Sequence, residues 1–266
     1  MSTSTADPVV PTRASPFRWI TQLLDSSIGA KYLVALTGIG LTGFVIVHLL
    51  GNLQVFLGRE AMNAYAQSLK NLGPLLWIAR GSLLAIFVLH IVMALRLKKL
   101  NLDARPVDYK FQRLVRATWV SRHMVLTGLV ILAFVCFHLA HFTFGLGPIA
   151  RVQNPDTGGY TNYLELKDPQ YRDPLDPKKT RHDVYAMFID GFRSVPVVAT
   201  YIVCMVFLGL HLLHGVRSIF QTLGLNHSKY NLLFEALGYA VTLAVVMGNV
   251  FMPLAVLFKL IGGDVP

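Results

Sequence analysis

Long apolar runs, separated by short polar stretches, dominate the chain. Five of them, at about 31–57, 75–97, 122–146, 195–217 and 231–260, are each long enough to cross a hydrocarbon core of ~30 Å. Backbone buried in lipid must satisfy its own hydrogen bonds, which leaves helices or a closed barrel. Unbroken runs of this length lack the alternation of barrel strands, so the pattern predicts an all-α integral membrane protein with five transmembrane helices. The polar stretches carry their own signals. Gly58 and Gly73-Pro74 bracket "REAMNAYAQSLK", which reads as a helix outside the membrane. The long segment 147–193 holds Pro148, Pro155, Pro169, Pro174 and Pro177 and is expected to be irregular, with a short helix near 182–191. Pro196 sits where a helix tolerates proline, at its start. Pro253 is expected to kink the fifth span near its outer end. The first 16 residues, rich in Ser, Thr and Pro, read as a disordered tail. Residues 16–27 read as a short amphipathic helix on the membrane surface. The remainder, 17–266, is one membrane domain. No internal repeat is evident along the chain. Residues 1–30 lack a continuous apolar h-region, so the first span is expected to be retained rather than cleaved.

Composition agrees: 54% of residues are hydrophobic, 14% are charged, and the mean hydropathy is +0.52. The formal net charge of +10 first suggests nucleic acid, but its placement excludes that reading. Between the second and third spans, residues 96–122 carry eight basic side chains against two acidic ones, whereas 147–193 carries seven of each. The positive-inside rule then puts the N-terminus, 96–122 and the 217–230 turn in the cytoplasm. The loops 58–74 and 147–193 and the C-terminus lie outside. The basic face also suits anionic lipid.

The chemistry rests on histidine. The middles of all five spans lack acidic residues, which argues against a carboxylate-driven pump, and Arg80 is nearly alone among basic groups at depth. His48, His90, His138 with His141, and His211 with His214 fall in the first, second, third and fourth spans. A helix rises 1.5 Å per residue, so His48 is about 26 Å from Lys31 and His138 about 24 Å from Arg122, both near the outer side. The second and fourth spans run the other way, which puts His90 and His211 roughly 22–24 Å from the outer surface and near the inner side. The expected pairs are His48 with His138 and His90 with His211, each joining non-adjacent spans of a four-helix bundle. Neutral imidazole suits iron, zinc and copper. Two stacked bis-histidine sites point to two b-type haems, whose filled axial positions move electrons rather than bind oxygen. His141 and His214, one turn nearer each surface, are assigned to support or to haem propionates. Arg80, ~6 Å outward of the outer pair, is a candidate for the same propionates, with snorkelling to headgroups as the plainer reading. Arg122 and Arg217 are the inner candidates. Gly38, Gly40, Gly43, Gly81, Gly128, Gly209 and Gly215 serve either close helix packing or room for porphyrin. Cys136 and Cys204 lie within spans; with two histidines they offer a Rieske-type alternative, which leaves His48 and His90 unexplained.

The segments "SSIGAKYLVALTGIGLTGFVIVHLLGNL", "FVLHIVMALRLK", "SRHMVLTGLVILAFVCFHLAHF" and "GLHLLHGVRSIFQTLGLNH" resemble the cytochrome b subunit of bacterial succinate dehydrogenases and fumarate reductases, in its single-chain, five-helix, di-haem form. The resemblance covers about 20–260. It implies a membrane anchor in the bacterial cytoplasmic membrane, with a flavoprotein subunit and an iron–sulfur subunit docked at its cytoplasmic face. Electrons would pass between those subunits and a membrane quinone, menaquinone or ubiquinone. The axial ligands it implies are His48, His90, His138 and His211, the four that depth selects. Some relatives carry an acidic residue two positions before the fourth ligand; here that position is Gly209. Asn52 and Gln54 outside, or Ser27, Lys31 and His123 inside, are candidates for quinone contact. Other readings are a haem b subunit of a hydrogenase or formate dehydrogenase, the cytochrome b of the respiratory bc complex, and a haem-free scaffold.

Overall fold

A computed structural model describes residues 25–104, 119–153, 158–173, 176, 178–263 and 265. The expected disordered tail, most of the amphipathic stretch 16–27 and the basic residues between 105 and 118 lie outside the described residues. All five apolar runs form helices long and apolar enough to span a membrane. The first span is α1 (Ser27–Asn52), extended by a 3-10 turn over Leu53–Leu57. The short helix α2 covers Arg59–Lys70. The second span is α3 (Pro74–Asp103) and the third α4 (Met124–His138). A further short helix, α5 (Val184–Gly191), precedes the fourth span α6 (Val195–Thr222) and the fifth span α7 (Ser228–Leu257).

Helix ends follow local chemistry. The Ser26 hydroxyl accepts from the Gly29 amide at 2.8 Å and caps α1. Gly58 (φ 93°) and Gly73 (φ 55°) adopt left-handed backbone on either side of α2, a conformation that glycine reaches without a Cβ clash. Pro196 lies in the first turn of α6, as expected, and Pro253 stays within α7. The segment 147–193 is mostly irregular but includes a small hairpin that its prolines did not announce. Arg151–Gln153 (β1) pairs antiparallel with Tyr160–Asn162 (β2).

Within the bundle, α6 packs most extensively on α7 and α1 on α3; α4 and α1 both pack on α6. The second and third spans barely touch. At one end, α2, α5, the irregular segment and the C-terminal residues fold together into a cap. Its core includes Val55, Met62, Tyr185, Phe188, Ile189 and Phe192, continuous with Tyr201 and Val256 of the spans. That end gathers the three segments which charge placement put on a common side. At the opposite end Arg96 pairs with Asp25 at 3.0 Å, joining the end of the second span to the start of the first.

A polar clasp ties the cap together. Arg59 is ion-paired with Asp183, and Arg181 with Glu60 and Asp168, both at 2.6 Å. Asn63, fully buried, donates to Asp168 at 2.8 Å and Asp183 at 3.0 Å and accepts from the Tyr185 amide at 2.9 Å. Asp183 also caps α5 by accepting from the Ala186 amide at 3.0 Å. Burial pushes the Asp168 carboxyl up, but bonds from Asn63, Arg181 and the Gln170 amide outweigh this and hold it below the usual range. The hydrogen bond from Arg181 lowers Glu60.

Candidate functional site: two histidine pairs along the bundle

The four depth-selected histidines meet as two pairs. Towards the capped end, the rings of His48 on α1 and His138 on α4 have centroids 5.9 Å apart with planes at 88°. Towards the other end, His90 on α3 and His211 on α6 are 6.4 Å apart at 66°. All four side chains are half-buried. A metal bound at about 2 Å by two opposed imidazole nitrogens puts the ring centres about 6 Å apart. Both pairs have that spacing. No other described His, Cys, Asp or Glu completes a cluster of three at either, so each pair offers two ligands and no more. That donor set suits a metal whose other positions are filled by something other than protein.

Hydroxyls on neighbouring helices hold the rings. The Thr37 hydroxyl on α1 donates to the Leu33 carbonyl at 2.6 Å and lies 3.0 Å from His90 Nδ1. The Thr127 hydroxyl on α4 donates to the Met124 carbonyl at 3.0 Å and lies 3.0 Å from His211 Nδ1. At the outer pair, His138 Nδ1 lies 3.1 Å from the Tyr201 hydroxyl. Each bond engages Nδ1 and leaves Nε2 for a ligand role. Sequence reasoning missed Thr37, Thr127 and Tyr201.

A signal for the threonines was present. The structure corrects the expectation of no internal repeat: the spacing Thr-Gly, nine residues, His occurs at Thr37-Gly38-His48 and again at Thr127-Gly128-His138. Phe44 stacks on His48 (5.4 Å) as Phe134 packs on His138 (5.9 Å). The partner spans repeat Leu-His, five residues, Arg, at Leu89-His90-Arg96 and Leu210-His211-Arg217. Spans one and two are thus a ligand-bearing hairpin whose pattern recurs in spans three and four. The 11 residues from Thr37, level with the inner pair, to His48 set the two pairs about 16 Å apart along the bundle.

The glycines differ in their surroundings. A Cβ at Gly38 would stand 3.5 Å from the His90 ring, and one at Gly128 3.6 Å from the His211 ring, ordinary contact distances, so these two lie against the inner histidines without having to be glycine. Gly209 is close packing, because its Cβ would meet Val246 of α7 at 2.7 Å. Gly40 also packs closely, on Ile86. Gly43, Gly81 and Gly215 border open space.

The companion histidines differ from each other. After His138 the third span changes from α to a π turn over Leu139–Thr143, a departure often found at functional sites. The turn brings His141 fully into the cap, where its Nδ1 lies 3.3 Å from the same Tyr201 hydroxyl. Among the described residues its Nε2 closes no hydrogen bond. Tyr163 packs over His141 (5.8 Å) and donates to Asp190 at 2.7 Å; burial, then Asp190, raises the Tyr163 phenol. His214 instead lines an open cavity of about 620 Å³ at the inner end, with Ser121, Arg217, Ser218, Asn226 and Asn231. Arg217 pairs there with Glu235 at 3.2 Å. Arg80 is exposed and lies over the Trp77 ring at 5.0 Å, the arrangement of an interfacial anchor. Cys136 is exposed and Cys204 half-buried, both as free thiols, and neither joins a ligand cluster. The Rieske-type alternative therefore lacks its four-ligand set among the described residues.

The chain matches no family model, no curated protein and no solved structure.

Proposed function

We propose that this chain is the di-haem cytochrome b membrane anchor of a bacterial succinate:quinone oxidoreductase. The observation that carries the haem reading is the pair of bis-histidine sites with ring centres 5.9 and 6.4 Å apart. The residues fit the group: two imidazoles per site, with Nδ1 rather than Nε2 engaged by a hydroxyl on His90, His138 and His211. His48 and His138 would hold the outer haem, His90 and His211 the inner one. A bound haem b would supply a one-electron carrier. The chain's own part is to hold the two groups about 16 Å apart, to orient each imidazole through a hydroxyl, and to keep the outer pair under a packed cap.

The assignment to succinate:quinone chemistry rests on the sequence resemblance. It places a flavoprotein and an iron–sulfur subunit at the uncapped, basic end, which would be cytoplasmic, and the cap and C-terminus outside. Menaquinone or ubiquinone would be the membrane partner. A haem b subunit of another membrane oxidoreductase uses the same two pairs, and the substrate distinguishes them. The test is a reduced-minus-oxidised spectrum of the purified complex, with succinate and then with dithionite. A b-type spectrum of two haems per chain, reducible by succinate, is expected. His138→Ala and His211→Ala should each lose one haem, whereas His141→Ala and His214→Ala keep both. A complex without a b-type spectrum would falsify the haem reading; a dithionite-reducible spectrum that succinate does not reach would sink the succinate assignment alone.

A further inference from the structure

We propose that Thr37 and Thr127 are positioning residues that fix both inner histidines in the Nδ1–H tautomer and so set the affinity and potential of the inner metal centre. The inference rests on the di-haem reading and concerns residues which that reading does not need. Both threonines are buried in apolar helices, at 6% and 0% exposure, where an unsatisfied hydroxyl is costly. Each has a single proton, and the geometry says where it goes. Thr37 donates to Leu33 at 2.6 Å and Thr127 to Met124 at 3.0 Å, the backward bond that helical threonines form. With that proton committed, the oxygen can only accept from the imidazole 3.0 Å away. The proton of His90 and of His211 is then on Nδ1, and the lone pair that binds metal is on Nε2.

The repeat argues the same point independently. Both threonines stand 11 residues before an outer ligand and immediately before a glycine that lies against the facing ring. Spans one and three thus each carry an outer ligand and the support for an inner ligand on the next span. An accepting partner on the far nitrogen increases ligand basicity, and its loss typically lowers metal affinity 10–100-fold. A more basic imidazole favours the ferric state, so losing the acceptor should raise the inner potential. The two sites are not equivalent, because Thr127 is fully enclosed whereas Thr37 is 6% exposed. Thr127 should therefore matter more than Thr37.

The experiment uses the full chain, purified from membranes, as wild type, Thr37→Val, Thr127→Val, Thr37→Ser and Thr127→Ser. Haem per chain and the potentials of both centres are measured by redox titration. Thr127→Val should lower inner-haem affinity by one to two powers of ten and raise the inner potential, with a smaller effect for Thr37→Val. The outer haem should be unchanged, which also reports that the bundle has folded. Serine should restore the wild-type values. Valine variants whose inner potential and occupancy match wild type, or serine variants that behave like valine, overturn the proposal. A wild-type chain without haem would instead defeat the reading on which it rests.

Discussion

Replacing Asp183 with alanine removes the carboxylate at the centre of the cap. In the structure that carboxylate pairs with Arg59, accepts from Asn63 at 3.0 Å, and caps α5 through the Ala186 amide at 3.0 Å. The Asp183 side chain is 3% exposed and that of Arg59 8%, so little water is available to replace it. Breaking a buried ion pair from one side costs about 3–5 kcal/mol, and losing an N-cap about 1 kcal/mol. The two losses share one carboxylate and do not simply add. Arg59 also keeps its stack on the Tyr185 ring at 5.4 Å, which favours the lower end, about 3 kcal/mol. That corresponds to about two powers of ten in the equilibrium for opening the cap. Limited proteolysis of the detergent-solubilised protein reads this directly, since cleavage tracks the open population when reclosing is fast. Asp183→Ala should be cut about 100-fold faster within 147–193, whereas Asp183→Asn, which keeps an acceptor for Ala186, should fall between. Protection of Asp183→Ala within about 0.5 kcal/mol of wild type, the range of an ordinary surface change, would show that the clasp does not hold the cap closed.

The same clasp should loosen in acid. Asp168 and Glu60 are both held below their ordinary values, so their contribution is complete above about pH 4.5 and is lost as pH falls through the lowered folded values; cap proteolysis that stays constant from pH 7 to pH 3 would contradict this. Tyr201→Phe takes the shared hydroxyl from His138 and His141. It should raise the outer potential, leave the inner one unchanged, and cost about 1–3 kcal/mol of stability; redox titration together with thermal unfolding checks both parts. The ring planes predict a spectroscopic difference. On the proposed di-haem reading, crossed imidazoles keep two iron d orbitals close in energy, so the outer pair at 88° should give a more anisotropic low-spin ferric signal in electron paramagnetic resonance than the inner pair at 66°; identical signals from the two centres would refute it.

The number of candidate spans and the pairing of His48 with His138 and His90 with His211 were legible in the sequence. The reason is geometric. A hydrophobic run must start and end at the membrane surfaces, and a constant rise per residue converts position into height. Height sufficed to match ligands, because six histidines spread over four spans left few combinations. Charge placement likewise put 58–74, 147–193 and the C-terminus at one end, where the cap is found.

Height does not specify rotation about the helix axis or the state of the backbone, and those were decided by tertiary structure. Thr37 and Thr127 look like ordinary apolar-span residues until packing turns each hydroxyl towards a histidine on the next helix. His141 is expected one turn outward of His138, as support or as a partner for a propionate. The π turn brings it into the cap beside the Tyr201 hydroxyl that also meets His138, a change of winding that no hydrophobic period reveals. His214, with the same spacing from His211, remains on a regular helix and faces an open cavity. The clasp joins residues more than 100 positions apart, as in Asn63 with Asp168, and charge counts treated that loop only as neutral. What the sequence determined is the axial order of the bundle, because the bilayer imposes one dimension. What needed the fold is everything lateral: which hydroxyl meets which ring, which glycine lies against a ring, and how the cap closes over the outer pair.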